Sequence, residues 1–377
     1  MKPRGEQRDA SHPFQLQRLG VVMEPEPGNP MEAEGVLNPA SARGRDGQLY
    51  LFPRLVARGN YSRIGIARVR FNDAGDPVGV ERLGIALEPE ADYELRPGGG
   101  GCEDPRITFI EPLQRYVMTY TALSSRGPRI ALAMSEDLFH WDRLGLAIFM
   151  PYEGVDFNDV ANKDAVLFPV AIPDPDGRPS MALIHRPLFP GTGPDEKLHC
   201  RGPRVVDILR ESIWISYHSL VNEVCTKHHH LCHFDSHRRL ACPVAAWEQL
   251  KIGGGTPPIL TSQGWLFIYH GVCEALNKLS GCELSYSAGL LVLDEKHPHL
   301  IRYRSPEPVL TPELPKEREG IVPNVVFPTA IDRRDDLGLP RRFDVYYGMA
   351  DNRIGVARLD LPEHLPAEAP AFTNTTE

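Results

Sequence analysis

The feature that most restricts the fold of this chain is a repeated pair of segments. An aromatic-rich alternating stretch is followed by a polar Gly/Pro/Ser/Asn turn and then by small residues carrying Gly or Ala. Leu49-Tyr50-Leu51-Phe52 leads to Ile64-Gly65-Ile66-Ala67-Arg68, and Tyr116-Val117-Met118-Thr119-Tyr120 leads to Ile130-Ala131-Leu132-Ala133. Phe267-Ile268-Tyr269-His270 precedes Ala288-Gly289-Leu290-Leu291, and Val345-Tyr346-Tyr347-Gly348 precedes Ile354-Gly355-Val356-Ala357-Arg358. Two more aromatic stretches, 181–185 and 213–217, fill the central gap. Alternation with period two is a strand signal, and self-similarity at blade-length spacing argues for radial repetition of small antiparallel sheets. The pattern predicts an all-β propeller, with a two-sheet sandwich as the competing architecture. Crowding at a propeller axis favours small side chains, which assigns the Gly/Ala stretches to inner strands.

Few windows escape Gly or Pro for three helical turns, so helix is expected to be scarce. The 36 prolines and 33 glycines are spread along the chain rather than gathered in a linker. That distribution reads as turn chemistry within one domain, 15–362, flanked by flexible segments at 1–14 and 363–377. The formal net charge is −9 and no Lys/Arg run has the length of a phosphate-backbone footprint, so a nucleic acid partner is not expected. No stretch approaches the roughly 20 apolar residues of a membrane span, and residues 1–12 lack an apolar leader core. Seven cysteines, an odd number, then favour reduced thiols and a cytoplasmic location. Whether the chain forms a homo-oligomer stays open.

Gly98-Gly99-Gly100-Gly101-Cys102-Glu103-Asp104-Pro105-Arg106 is the most unusual stretch. Four glycines, two carboxylates, Pro and Arg fit a strand poorly and read as a functional loop. Glycine lets backbone approach a ligand, Pro fixes the exit, and Arg106 can orient or charge-balance the acid pair. A glycine-rich hairpin turn with solvated charges is the plainer alternative.

Several blocks together resemble glycoside hydrolase family 130. They are 101–107, Asn162-Lys163-Asp164-Ala165, Leu167-Phe168-Pro169, His185-Arg186-Pro187, the 253–259 run Gly-Gly-Gly-Thr-Pro-Pro-Ile, Tyr269-His270-Gly271, the 322–328 run Val-Pro-Asn-Val-Val-Phe-Pro, and Tyr347-Gly348-Met349-Ala350-Asp351. They stand in the family's order over most of the chain. The resemblance implies a five-bladed β-propeller with the site at its axial mouth. It also implies inverting phosphorolysis of β-mannosides to α-mannose 1-phosphate, with Asp104 as proton donor acting through the sugar 3-hydroxyl.

The chemistry is self-consistent. An inverting glycosidase ordinarily pairs an acid with a base that deprotonates water. Phosphate arrives anionic and needs no base, only a cluster of cationic hydrogen-bond donors opposite the acid. Lys163, Arg186 and His270 are the candidates, with Arg143 in Trp141-Asp142-Arg143 a fourth. Each has a plainer reading: a rim ion pair for Lys163, a strand cap for Arg186, a core imidazole for His270. Asn38 and Arg54 match family positions around the bound mannosyl unit, Asp351 matches a carboxylate for its hydroxyls, and Glu103 and Arg106 belong to the same substrate side. Asn38 before Pro39, and Asp351 before Asn352, also suit turns.

The expected partners are thus a small mannoside and inorganic phosphate, with no cofactor and no metal. Water as nucleophile on the same fold is the alternative reaction, and a non-catalytic carbohydrate-binding propeller the alternative class. Residues 225–242 hold Cys225, Cys232, Cys242 and five histidines, but Cys225 and Cys232 are too far apart for the usual zinc spacing. A surface loop is the better reading there, and the acceptor sugar and linkage are not legible.

Overall fold

A computed structural model describes residues 14, 16–152, 156–189, 211–220, 231–277 and 281–366, without the side chains of 275–277, 281 and 282. Of the expected flexible segments at 1–14 and 363–377, Phe14, which is buried, and residues 363–366 are described. Residues 225–230 of the Cys/His-rich stretch lie outside, and the rest of that stretch is not the expected surface loop, since Ser236–Ala241 is a strand and Cys232, His237 and Cys242 are buried. Among the described residues the chain is all-β, with one four-residue α-helix, Pro315–Arg318, and a few 3-10 turns.

The strands pair in antiparallel runs of four that follow chain order. The first run is Gly35–Arg43, Leu49–Ala57, Tyr61–Phe71 and Pro77–Leu87. The second is Gly99–Ile110, Arg115–Ser124, Gly127–Ser135 and Asp142–Leu146, and the third is Ala161–Leu167, Pro179–Leu188, Ile213–Ser219 and Ser236–Ala241. The fourth is Lys251–Gly254, Gly264–Asn277, Gly281–Leu293 and Ile301–Arg304. The last joins Val326–Arg333, Arg342–Met349 and Arg353–Asp360 to Gln17–Met23 from the other end of the chain. First strands lie against one another: Gly35–Arg43 contacts Gly99–Ile110 and Val326–Arg333, while Ala161–Leu167 contacts Gly99–Ile110 and Lys251–Gly254. Apolar side chains gather between successive runs, Phe52 with Met118, Leu132 with Leu183, Ile184 with Phe267, Ile268 with Val345, and Tyr346 with Leu51. These strands are buried on both faces, so their sequences read as near-continuous apolar stretches.

Two further expectations are corrected. The Gly/Ala stretches form third strands, two removed from the inner position, because their glycines make room for rings on the second strand. A Cβ on Gly289 would stand 2.5 Å from the Tyr269 ring, and one on Gly355 would stand 2.7 Å from the Tyr347 ring. The glycine-rich stretch 98–106 is not a loop: Gly99–Ile110 is a strand, and a Cβ on Gly101, whose φ is +115°, would meet the Ser62 carbonyl oxygen at 2.0 Å. The glycines let this strand pair in parallel with Tyr61 and Ser62 of the first run.

A buried clamp recurs where four of the runs begin. A glutamate in a short turn just before the first strand accepts backbone N–H groups and an arginine from the fourth strand, as in Glu94 with Arg143 at 2.9 Å. Glu32 holds Arg82, Glu248 holds Arg304, and Glu317 holds Arg18 in the same way. In three runs a second-strand tyrosine hydroxyl also donates to the glutamate: Tyr120 at 2.6 Å, Tyr269 at 2.8 Å and Tyr347 at 2.9 Å. Buried carboxylates need such pairing, and the clamp ties the two edges of a run together. The third run departs from this pattern.

Candidate active site

The site grows from one backbone irregularity used repeatedly. In the first three runs the first strand slips register beside its partner, between Leu37 and Ala40, Glu103 and Arg106, and Lys163 and Val166. The residue at each slip is left-handed: Asn38, Asp104 and Asp164 have φ of +43°, +46° and +56°. Asn and Asp are the non-glycine residues that tolerate this region best, which explains why short polar side chains stand there. Opposite the slips the second strands supply Arg54 against Leu37, Thr121 against Glu103 and Arg186 against Lys163, and in the fourth run, which pairs without a slip, His270 stands against Gly253. Asp351 enters from a hairpin turn in which Ala350 and Asp351 both have positive φ, and it abuts Gly35.

On one side lies a carboxylate cluster. The Arg54 guanidinium forks between Glu103 Oε1 at 2.6 Å and Asp104 Oδ1 at 3.3 Å, while Asn38 Nδ2 donates to Asp104 Oδ1 at 2.9 Å. Burial alone would raise Asp104, but Arg54, Arg106 and Lys163 outweigh it and hold its carboxyl below the usual range. Glu103 goes the other way: burial, reinforced by Asp104, raises it against Arg54. Asp351 is pushed up to about 6, chiefly by burial, with Asp104 and Glu103 adding to the effect.

On the other side lies a cationic cluster. Arg186 is buried between two carboxylates, its Nε donating to Asp164 Oδ2 at 2.6 Å and its Nη1 to Glu211. Lys251 Nζ is 4.0 Å from Glu211 and 5.9 Å from the centre of the Tyr286 ring. Burial and the nearby Arg186 lower Lys251 to about 8. His270 lies 3.7 Å from Asp164 and packs on Phe327. The Lys163 side chain makes no hydrogen bond or ion pair among the described residues, yet it acts electrostatically on Glu103, Asp104 and Asp351 as well as on Asp164 and Lys251. It therefore stands between the two clusters. Asn38 Oδ1, Asp164 Oδ1 and His270 Nδ1 are buried without a hydrogen-bond partner among the described residues. Asp164 and His270 adjoin at 3.7 Å, and unsatisfied polar atoms there fit a site built to receive a polar ligand, whereas Asn38 Oδ1 faces the backbone of Gly348.

Asn38, Arg54, Glu103, Asp104, Lys163, Arg186, His270 and Asp351 are thus brought together, and three expectations need correction. Arg143 is held by Glu94, with further contacts to Glu90 and the Glu88 carbonyl, in the clamp that other runs build with Arg82, Arg304 and Arg18. Arg106 is not a substrate contact: its guanidinium donates to the carbonyls of Asp104 at 2.8 Å, Gly255 at 2.9 Å and Gly254 at 3.3 Å. It positions Asp104. His270 is no cation, since burial, with Arg186, Arg106 and Lys251 nearby, lowers it to about 3 and leaves a neutral imidazole. Sequence reasoning missed Glu211 and Lys251. Lys251 precedes the Gly253-Gly254-Gly255 run and could have been found there, whereas nothing local marks Glu211.

A cavity of about 700 Å³ opens at the C-terminal ends of the first strands, lined by Arg43, Thr108, Tyr116, Pro169, Pro258 and Arg333 among others. None of the site residues line it. Among the described residues no group of three or more His, Cys, Asp or Glu could hold a metal ion, and no helix is long and apolar enough to cross a membrane.

Raised acids make a stability prediction. Asp351 has a higher pKa folded, about 6, than its ordinary 3.8. The folded state therefore binds the proton better, and ionisation costs stability as pH rises from about 4 through 6. Asp351→Asn is expected to stabilise the protein by on the order of 1–2 kcal/mol at pH 8 and by nothing at pH 4. Thermal melting at both pH values checks this, and equal shifts at the two would refute it.

An all-β chain whose repeated backbone slips converge acidic and basic side chains has known relatives. The model of glycoside hydrolase family 130, described as beta-1,4-mannooligosaccharide phosphorylase, matches residues 14–366. The chain belongs to this family. It is 31% identical over 359 residues to a 1,2-beta-oligomannan phosphorylase of Thermoanaerobacter sp. (strain X514), covering 93% of this chain and 99% of that protein. It is 32% identical over 277 residues to a beta-1,4-mannooligosaccharide phosphorylase of Ruminococcus albus, covering 74% of this chain and 68% of the relative. A solved beta-1,2-mannobiose phosphorylase from Listeria innocua, in complex with beta-1,2-mannobiose, superposes with a TM-score of 0.62 at 21% identity. That alignment spans 96% of this chain and 93% of the other.

Proposed function

We propose that this chain is a β-mannoside phosphorylase that works by inversion and releases α-mannose 1-phosphate. The runs of four strands are read as the five blades of one propeller, a single domain closed where Gln17–Met23 completes the last blade. Asp104 is the general acid. Asn38, Arg54, Glu103 and Asp351 hold the mannosyl unit, and Lys163, Arg186 and His270, joined by Lys251, hold phosphate as co-substrate without a metal or other cofactor.

What carries the reading is Lys163, a cation with no bonded partner among the described residues that interacts electrostatically with both clusters. An anion bound there sits beside the acid and can attack as the acid protonates the leaving oxygen. Arg186 Nη2 makes no ion pair among the described residues, so the carboxylates that clamp the guanidinium leave a donor for the ligand. The names of the relatives support the same chemistry.

Hydrolysis is the second reading, and Glu211 favours it, because a base for water would be a carboxylate in this position. Purified protein incubated with β-1,2- and β-1,4-mannobiose, with and without inorganic phosphate, separates the two. The expected result is mannose 1-phosphate formed only when phosphate is present. Free mannose at equal rates in both conditions would transfer the role of base to Glu211 and end the phosphorolysis reading.

A further inference from the structure

Among its described residues the third run shows no glutamate–arginine clamp, and it carries a hydrogen-bonded chain through two imidazoles. His185 follows Ile184 just as Tyr120, Tyr269 and Tyr347 stand in their own second strands, and His237 occupies the fourth strand where the other runs place arginine. Between them Ser216 Oγ lies 2.7 Å from His185 Nε2 and 2.7 Å from His237 Nδ1. The outer end is His237 Nε2, 2.9 Å from the Met150 carbonyl oxygen, and the inner end is His185 Nδ1, 3.1 Å from the Asn162 side chain.

The direction of this chain follows from its outer end. A carbonyl only accepts, so His237 carries its proton on Nε2. Burial lowers both imidazoles, His185 further than His237, and a neutral His237 then accepts at Nδ1 from the Ser216 hydroxyl. Ser216 in turn accepts from His185 Nε2–H, which leaves His185 Nδ1 as an acceptor. The amide group of Asn162 must then present its NH2 to His185, and that assignment supplies the partner its nitrogen otherwise lacks. The inner end spans two strands where the ladder has slipped. Asn162 precedes Lys163, His185 precedes Arg186, and Lys163 and Arg186 face each other across the strand pair.

We infer that the Asn162–His185–Ser216–His237 chain is a positioning relay that fixes Lys163 and Arg186 for anion binding. This rests on the phosphorolysis reading. The members of the chain are neutral, so the tie adds no charge beneath Arg186, which Asp164 and Glu211 already share.

Two measurements test the relay. Long-range proton–nitrogen NMR of the full chain should show His185 and His237 as neutral Nε2–H tautomers from pH 6 to 8. In initial-rate measurements, Ser216→Ala should raise the KM for inorganic phosphate at least tenfold and leave that for β-1,2-mannobiose within threefold, and Ser216→Thr should return phosphate KM to within threefold of wild type. A cationic or Nδ1–H imidazole in the unaltered protein overturns the relay, as do equal shifts in both KM values or none in either. Product formation by wild type without phosphate would end the phosphorolysis reading, and the tautomer spectra would then decide the chain alone.

Discussion

Asp104→Asn lowers kcat by about 10³-fold while mannoside binding persists, if Asp104 protonates the leaving group. General acid catalysis contributes roughly 10²–10⁴-fold, and the amide keeps the shape that Asn38 and Arg54 hold but cannot supply a proton to the leaving oxygen. In the free protein Asp104 is held below the ordinary carboxylate range, the wrong state for an acid, while Glu103 on the same arginine is raised. The pair titrates as a unit. On the proposed reading, a phosphate dianion bound near Lys163 would offset the cations that depress Asp104 and so load the acid as the nucleophile arrives. Calorimetric titration with mannobiose and single-turnover assays on the variant separate binding from chemistry. Retained turnover within tenfold of wild type would remove Asp104 from the role.

Much of this site was legible because its residues sit in short contiguous blocks. Asn38, Asp104 and Lys163-Asp164 advertise themselves by unusual neighbours, and the second-strand residues Arg186 and His270 follow recognisable aromatic stretches. What escaped depends on register. The Arg143 clamp joins residues 49 apart, and its counterparts join residues 50, 56 and 299 apart, the last across the two ends of the chain. No local window contains both partners, so a buried structural arginine looked like a free one. The glycine stretch at 98–101 looked like a loop because its reason, a neighbouring strand whose carbonyl comes within 2.0 Å of the missing Cβ of Gly101, belongs to another run. His270 was misjudged in charge for the same reason: its motif shows an imidazole, and only the surrounding arginines and burial show that it is neutral.

Arg186→Met is expected to destabilise the protein by about 3–5 kcal/mol at neutral pH, because it leaves Asp164 and Glu211 buried without their common partner. The pH dependence distinguishes this from a packing defect. In the wild type Asp164 is held low, chiefly by Arg186 acting against burial, so it stabilises the fold above its ordinary pKa and that contribution is lost only as pH falls. Without Arg186, burial weighs more heavily at Asp164, whose carboxyl gains a preference for its protonated form. The deficit of the variant should therefore be largest at pH 7–8 and narrow as pH falls toward 5. Adding Glu211→Gln to Arg186→Met should recover part of the loss, whereas Glu211→Gln alone should destabilise. Chemical denaturation of the four proteins at pH 5 and pH 7.5 closes the cycle. A deficit independent of pH, or one unchanged by the second substitution, would mean that the ion pairs add nothing to the fold and that Arg186 acts only by filling space. On the proposed reading the same variant loses phosphate affinity by about 10–100-fold, the range for removing a charge-assisted hydrogen bond from an anion. The two losses have one origin: the carboxylates that hold Arg186 in place are also what makes its removal costly.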